Sequence, residues 1–350
     1  LTEFFYEADE RYKHVGARAK NFMDTGIWDD PFAYDGTYAS CVEWGERRWA
    51  TPGVVIDGEL VTTNLQHINM GIEEFVEHSF YKDWENEGIR FETDPAGNPI
   101  SPNHPWNKET KPSPDHKRSW KDRYTWSTAP RWDRQVMEAG TYARMWVTAA
   151  ARKLPHTRFL ESTGTSLKMH VPKTLYPAMD FEWHIPEIWN AFERNRNRAY
   201  HILYSMLVGY ENLLIAYDLL KRGETRTATP YTVPQDERIG VGFWGAGRGW
   251  LTHHLVMDKG ALVNYQVITP STINASPRDP FGHGGAYEEA IVNTPIIEEF
   301  DKPSDFTGID IFRALRSFDP CMPCTTHVHT DDVVRTQEIN TCACALTEPA

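Results

Sequence analysis

Residues 317–327 read S-F-D-P-C-M-P-C-T-T-H, and this stretch concentrates the metal-binding side chains of the chain. Cys321 and Cys324 supply two soft thiolates, with the carboxylate of Asp319 before them and the imidazole of His327 after them. A two-residue spacer turns both sulfurs to one side of a tight turn, where they can bind a single metal ion. The stretch therefore predicts a metal site, and its sulfur ligands suit nickel and iron as well as zinc.

The spacing alone leaves other interpretations open. Cys-x-x-Cys also occurs as half of a structural zinc site, as a redox-active dithiol, and as two buried thiols without chemistry. One histidine beside Cys324 is, by itself, more typical of a zinc ligand or of a solvent-facing residue. Residues elsewhere in the chain are needed to distinguish these interpretations.

The overall composition excludes several classes of protein. The chain has 350 residues, 40% of them hydrophobic and 24% charged, which is ordinary for a globular protein of one large or two smaller domains. No window approaches the run of about 18 apolar residues that a membrane helix requires. With 36 basic against 49 acidic residues, the chain lacks the cationic surface that nucleic-acid binding needs.

The cysteines do not form a disulfide framework. Of the 5 cysteines, all except Cys41 fall near the carboxy terminus, so a reducing compartment is the simpler interpretation. The amino terminus shows no signal-peptide pattern. We expect the protein in the cytoplasm or on the surface of a membrane, with the periplasmic side also open.

Helical spacing of apolar residues predicts three helices, over 69–84, 132–154 and 186–222. The third is the longest, and its apolar positions are expected to pack in the core: Leu203, Met206, Leu207, Tyr210, Leu213, Leu214, Tyr217 and Leu220. Arg194, Arg196 and Arg198 at its beginning are expected to form a solvated face.

Short β-prone runs predict small antiparallel elements elsewhere, namely a hairpin over 54–61 and a strand over 261–268. Residues 91–118 are rich in proline and polar residues, and we expect a solvated surface loop there. The fold class is therefore predicted to be α+β, predominantly α with small antiparallel β elements.

Residues 319–327 resemble the carboxy-terminal signature D-P-C-x-x-C-x-x-H of the large subunit of nickel-iron hydrogenases. Residues 124–131, Y-T-W-S-T-A-P-R, and 138–144, E-A-G-T-Y-A-R, are similar to Y-S-W-x-K-A-P-R and E-V-G-P-L-A-R of that family. Further similarity follows in the same order and covers residues 248–253, 264–266, 269–274, 277–279, 287–289 and 294–295. The resemblance thus extends over residues 120–327, with a weaker part at 67–84, and implies the large-subunit fold.

The resemblance implies a nickel ion bridged to an iron that carries carbon monoxide and cyanide. Cys321 resembles the terminal nickel thiolate, and Cys324 resembles a thiolate that bridges both metals. The family takes two more thiolates from a Cys-x-x-Cys pair near its amino terminus. No such pair precedes Cys321 here, so we expect that the amino-terminal part is missing and that this chain alone cannot complete the centre.

Four other positions acquire roles through the same resemblance. Arg248 matches the arginine over the open metal position, and Asp319 matches the carboxylate that orients it. Ser271, after Pro270, matches the residue whose hydroxyl and amide bind the second cyanide. His327 resembles a ligand of a magnesium ion.

The carbonyl group of Val267 would also bind that magnesium ion.

Two departures from the family accompany these matches. Gly247 replaces a proline beside Arg248, which loosens the backbone and leaves space above the metals. Thr269 stands where many members have an apolar residue.

The implied activity is the reversible heterolytic cleavage of dihydrogen, with electrons passed to an iron-sulfur small subunit. Nickel-insertion proteins and a maturation protease that cuts after His327 are further implied partners. We expect residues 1–327 to be the carboxy-terminal part of the large-subunit domain, helical over 120–225 and mixed α/β over 226–327. Residues 328–350, with Cys342 and Cys344, would be an extension removed in maturation or a retained ordered segment.

Two other functions remain to be weighed. A non-hydrogenase relative in a respiratory complex would have lost its metal ligands, whereas Cys321, Cys324, Arg248 and Asp319 are all present here. A zinc-stabilised interaction module would bind zinc tetrahedrally at the two cysteines.

Overall fold

A computed structural model describes residues 2–30, 36–81, 90–112, 122–155, 157–228 and 230–320, together with the backbone of 325–329 and 334–338. Its α-helices are α1 Thr2–Ala8, α2 Cys41–Glu46, α3 Leu65–Met70, α4 Thr141–Ala151, α5 Ala191–Lys221, α6 Pro270–Asn274, α7 Ala286–Val292 and α8 Ile309–Ser317. Short 3-10 helices lie at Glu10–His14, Pro105–Asn107 and Pro303–Asp305.

The strands form small antiparallel sheets. They are β1 Phe22–Asp24, β2 Gly53–Ile56, β3 Glu59–Thr62, β4 Ile72–Phe75, β5 Ala129–Trp132, β6 Leu160–Ser162, β7 Ser166–Val171, β8 Met179–His184, β9 Arg238–Ala246, β10 Gly249–Asp258, β11 Ala261–Ile268, β12 Thr325–His329 and β13 Val334–Glu338. The sheet orders are β1-β2-β3, β4-β5, β6-β7-β8, β11-β10-β9 and β12-β13. Each pairing joins strands close in sequence, except β1 with β2 and β4 with β5.

The largest core surrounds α4, which packs between β1, the β6–β8 sheet and α5. Trp146 of α4 lies against Phe22 and Trp189, with ring centroids 4.8 Å and 5.7 Å away. Every residue of α4 from Thr141 to Ala149 is buried. In a helix buried on all sides, each polar side chain needs hydrogen-bond partners within the protein. Arg144 of α4 is such a side chain.

The α+β class is confirmed, although strands are more extensive than a predominantly helical prediction implies. The hairpin over 54–61 is β2 and β3, and the strand over 261–268 is β11. The long helix is α5, which begins at Ala191 because the side chain of Asn190 caps the amides of Phe192 and Glu193.

The helix predicted over 69–84 is wrong. Helix α3 ends at Met70, and β4 follows and pairs with β5 in the register Ile72 opposite Trp132. The same pairing takes Trp132 out of the helix predicted over 132–154, so that α4 begins only at Thr141. Local apolar spacing fits a helix in both places, but pairing with a distant strand overrides it.

The solvated loop predicted over 91–118 is only partly correct within the described residues 91–112, where exposed positions are interspersed with buried ones. Ile100, His104, Trp106 and Lys108 are buried, and the Trp106 indole Nε1 donates to the carbonyl of Gly240 at 2.8 Å. Proline-rich segments can be irregular and still pack against a sheet when side chains satisfy the backbone. None of the helices in the described part of the chain combines the length and apolarity that a bilayer crossing needs.

Candidate active site

Glu138 is a fully buried carboxylate between β5 and α4. Its Oε1 atom lies 2.7 Å from Nη2 of Arg194, 3.0 Å from Nε1 of Trp189 and 3.3 Å from Nη1 of Arg18. Burial raises the pKa of Glu138, but Arg194, Arg18 and the Trp189 hydrogen bond together outweigh it and hold that pKa below its usual value. Glu138 is therefore a charged anchor inside the core.

Arg194 links Glu138 to the residues just before Asp319. Its Nη1 atom donates to the hydroxyl of Ser317 at 3.2 Å, and its guanidinium carbon lies 3.9 Å from the ring centroid of Phe318. One helical turn later, Nη1 of Arg198 donates to the carbonyl of Ser317 at 2.6 Å. Helix α5 thus fixes the chain directly upstream of residues 319–324.

These contacts overturn the solvated face predicted for the arginines of α5. Arg194 is fully buried, while Arg196 and Arg198 are partly buried. Sequence reasoning missed their role because an arginine that pairs with a distant carboxylate has the same local pattern as one in solvent.

Asp319 ends helix α8 in the left-handed region, with φ of 56°. Its amide donates to the carbonyl of Arg316 at 2.9 Å, which closes the last turn of the helix. Glycine or asparagine is usual at this position, and aspartate tolerates it better than most other residues. The turn at Asp319 therefore sets the direction in which the chain leaves α8 toward Cys321.

Ala139, the next residue after Glu138, is held by α6. The amide of Ala139 donates to Oδ1 of Asn274 at 3.0 Å, and Nδ2 of Asn274 donates to the carbonyl of Ala139 at 2.7 Å. Helix α6 begins with Pro270 and Ser271. Its N-cap is Thr269, whose hydroxyl accepts from the amide of Thr272, and this capping explains a threonine in place of an apolar residue.

Gly140 contacts the turn that carries Arg248. Gly249, at φ of 131°, lies so close that a Cβ atom there would be 2.6 Å from the amide nitrogen of Gly140. Both the dihedral angle and the contact require glycine. Residues 247 and 248 form the tip of the β9–β10 hairpin, because Ala246 pairs with Gly249.

Arg144 of α4 forms hydrogen bonds with the residues on both sides of this tip. Its Nη2 atom donates to the carbonyl of Gly249 at 3.1 Å and lies 3.3 Å from Oδ2 of Asp24, while both terminal nitrogens reach the carbonyl of Ala246 at 3.3 Å. Nε2 of His201, on α5, is 3.3 Å from Nη1. The buried guanidinium of Arg144 thus ties the hairpin to both central helices.

Three consecutive residues are therefore connected, directly or through one side chain, to three separate parts of the predicted site. Glu138 pairs with Arg194, which contacts the residues before Asp319. Ala139 is hydrogen-bonded to Asn274 of α6, and Gly140 lies against Gly249 at the tip of the β9–β10 hairpin. Residues 138–140 span only about 7 Å of backbone. The structure accordingly gathers these three parts around segment 138–140.

Arg248 itself is half-buried at the hairpin tip. Its Nε atom is buried and has no hydrogen-bond partner among the described residues. A Cβ atom at the neighbouring Gly247 would meet no described atom within 4 Å, so the backbone beside Arg248 borders open space. The turn that carries Arg248 thus contacts segment 138–140 through Gly249, and Arg248 forms no ion pair with a carboxylate of the described residues.

The predicted pairing of Asp319 with Arg248 does not occur among the described residues. Instead, the charge of Asp319 acts on Arg198, where burial lowers the pKa of the guanidinium and the carboxylate opposes that shift. Gly249, next to Arg248, contacts Gly140 directly, whereas Asp319 is connected to Glu138 only through its neighbours Ser317 and Phe318, which contact Arg194.

The remaining predicted ligands are only partly described. Cys321 and Cys324 lie outside the described residues. His327 belongs to β12, opposite Thr336 of β13, and Val267 belongs to β11, opposite His253. Strand β12 runs across the boundary predicted between residues 327 and 328. No group of three or more metal-ligating side chains occurs in the part of the chain with described side chains.

Other buried contacts join the sequence blocks that prompted the prediction. Arg131 Nε lies 2.9 Å from Oδ2 of Asp279, with both side chains fully buried. The hydroxyl of Tyr124 donates to Oε1 of Glu288 at 2.5 Å and accepts from the amide of Arg278 at 2.9 Å. Blocks at 124–131, 277–279 and 287–289 are therefore neighbours in space.

The family model described as nickel-dependent hydrogenase matches residues 5–327. The chain belongs to this family. The resemblance found in the sequence is thereby confirmed. It also agrees with the arrangement around segment 138–140, where the family-like blocks meet.

Curated relatives of this hydrogenase chain carry large-subunit names. It is 32% identical over 329 residues to the uptake hydrogenase large subunit of Rhizobium leguminosarum bv. viciae, covering 86% of this chain and 48% of the relative. It is 29% identical over 328 residues to the hydrogenase-1 large chain of Escherichia coli (strain K12), covering 89% and 50%. The chain thus spans about half the length of the curated relatives it matches.

Solved structures support the same family. The actinobacterial-type NiFe-hydrogenase from Ralstonia eutropha H16 matches with a TM-score of 0.88 and 44% identity, over 93% of this chain and 59% of that one. The Ni-Fe-Se hydrogenase from Desulfomicrobium baculatum matches with a TM-score of 0.55 and 24% identity, over 91% and 54%. That second match shows the fold alone.

Proposed function

We propose that this chain is part of the catalytic large subunit of a nickel-iron hydrogenase, which cleaves dihydrogen reversibly and heterolytically into protons and electrons. The observation that supports this function is the meeting of three parts of the predicted site at segment 138–140. Because the chain spans about half of its curated relatives, the activity belongs to the complete subunit.

Cys321 and Cys324 would hold the nickel-iron group through their thiolates. Two further thiolates would come from the part of a complete subunit that these residues do not span. When bound, the nickel-iron group with carbon monoxide and cyanide supplies a Lewis acid and an electron acceptor, which side chains cannot supply. The buried, unpartnered Nε of Arg248 fits such a group, because it leaves a donor for an acceptor outside the described chain.

Arg248 would present its fixed donors over the site where dihydrogen reacts. A guanidinium stays protonated, and its field is strong in a half-buried position, so it can polarise a substrate without charge of its own. Arg144 and the contact of Gly249 with Gly140 hold the backbone on both sides of the hairpin tip, which positions the base of the Arg248 side chain. Arg248 is therefore the residue that we expect to act on the reacting atoms.

The other residues would position and support this centre. Asp319 would direct the chain toward Cys321 and add a negative charge beside the site. Ser271, after Pro270, would donate to a cyanide. His327 and the carbonyl of Val267 would bind a magnesium ion, for which oxygen and water ligands are typical.

The remaining expectations concern partners and location. An iron-sulfur small subunit would receive the electrons, and nickel-insertion proteins would load the site. A maturation protease would then cut after His327 and remove residues 328–350. We propose that the complete protein lies in the cytoplasm or at a membrane surface, with the periplasmic side also open, and that domain boundaries fall at 1–327 and 328–350, as the sequence predicts.

Replacing Cys324 by alanine tests this function in the complete enzyme. We expect Cys324→Ala to remove nickel and hydrogen uptake together, because thiolates are the metal ligands. Cys41→Ala is the control, because Cys41 is a buried thiol outside the predicted site and outside the segment proposed for removal, and it should keep both. Nickel content is measured on the purified enzyme beside its hydrogen uptake. Full nickel and activity in Cys324→Ala, or tetrahedral zinc in the parent protein, would contradict the proposal.

A further inference from the structure

Helix α5 carries an apolar seam that no described residue covers. Four large side chains are well exposed, with relative exposures of 63% for Ile202, 67% for Met206, 68% for Leu213 and 62% for Leu220. Exposed small residues lie before and between them. We call this set of residues the seam: Ala199, Ile202, Met206, Gly209, Leu213, Ala216 and Leu220. The sequence-based expectation that this part of the helix packs in the core is therefore wrong for the described structure.

The helix has a second apolar face that explains this error. Tyr204, Leu207 and Val208 are buried in the large core, and Leu203 and Leu214 pack against it. The seam lies on the other side of the same helix. Periodicity shows that a helix has apolar positions, but it does not show which of two faces the chain itself covers.

The spacing of the seam indicates what fits on it. Its members follow each other at intervals of three and four residues over about 30 Å of helix, the repeat of a coiled-coil seam. Knobs and holes of this kind receive side chains from a second α-helix rather than from a strand or loop. The seam is therefore shaped for a helix.

Gly209 adds an independent observation. Glycine is unfavourable inside a helix, and a Cβ atom at Gly209 would meet no described atom within 4 Å. Nothing described in the chain explains a glycine here. Close approach of another helix would explain it, because the missing side chain lets two backbones come together between Met206 and Leu213.

We propose that the seam receives an α-helix from the part of a complete large subunit that these 350 residues do not span. The chain covers 48% of one curated relative and 50% of another, so the relatives carry about as much polypeptide again. Over 93% of its length, the present chain matches a hydrogenase structure with a TM-score of 0.88. The inference rests on family membership and on the seam, and it does not depend on the hydrogen chemistry.

Cysteine labelling in the complete large subunit, assembled in its enzyme, tests the seam. Met206→Cys places a thiol in the seam, and Leu175→Cys is the control, because Leu175 is 97% exposed between β7 and β8. Maleimide labelling is followed peptide by peptide with mass spectrometry, which separates these thiols from the native cysteines. We expect position 206 to react about 100-fold more slowly than position 175, since labelling then requires local opening. This protection should be independent of protein concentration.

Equal rates at the two positions would overturn the proposal. Protection that disappears on dilution would also overturn it, because it would assign the seam to a second copy of the chain. A second variant gives an effect of opposite sign. Gly209→Leu should lower the thermal midpoint of the complete subunit by overpacking the contact, whereas on an uncovered helix it would raise the midpoint through its better helix propensity.

Discussion

Arg248→Lys in the complete enzyme is expected to retain nickel and to lose hydrogen uptake by a factor of about 100 or more. Lysine keeps the positive charge but lacks the planar set of donors, so it cannot reproduce the contacts of a guanidinium at a fixed hairpin tip. The measurement is kcat with dihydrogen beside the nickel content of the same preparation.

The matched control for this experiment is Arg238→Lys. Arg238 begins β9 on the same hairpin, but its side chain is 65% exposed and pairs with Asp236 at 2.6 Å on the surface. Exposed pairs contribute little, so the control should keep parental activity. Parental activity in Arg248→Lys would remove Arg248 from the chemistry.

Glu138→Ala is expected to lower the free energy of unfolding by about 3–5 kcal/mol, because it leaves Arg194 charged and buried without its carboxylate and removes one of the two carboxylates beside Arg18. Glu138→Gln keeps the size and one acceptor, and it should cost less. The free energy is measured by urea titration of the metal-free large subunit. An Ala variant as stable as the parent would show that this ion pair does not anchor the fold.

The pH dependence of this effect has a definite sign. The pKa of folded Glu138 lies below its ordinary value of 4.5, so its stabilising contribution is fully present above about pH 4.5. The contribution is lost as the pH falls through the folded pKa. The stability difference between the parent and Glu138→Gln should therefore be constant at neutral pH and shrink in acid. A difference that grows in acid would contradict the assignment of a lowered pKa.

The sequence proposed residues for the chemistry through a family resemblance, but it did not predict how they are held. Arg248, Ser271 and Asp319 were identified because they stand in blocks that resemble a known family. Their common support at segment 138–140 was not predicted, although residues 138–144 were part of the same resemblance. A buried ion pair such as Glu138 with Arg194 joins positions far apart in sequence, and neither residue differs locally from a surface charge.

The errors in secondary structure have a similar origin. Residues 72–75 have the spacing of a helix, but β5 at 129–132 offers a partner edge, and the pairing forms a strand. In α5 the periodicity correctly predicted a helix and misassigned one of its faces. The strand at 72–75 and the exposed face of α5 both depend on residues distant in sequence, in this chain or in the rest of the subunit. A local sequence pattern carries no information about those residues.

The most direct test of the central claim is diffraction from crystals of the complete enzyme, collected at the nickel absorption edge. We expect one nickel peak bound by the sulfurs of Cys321 and Cys324, with the guanidinium of Arg248 in contact with the ligands of the same metal group. A nickel peak away from these sulfurs, or one separated from Arg248 by other side chains, would contradict it.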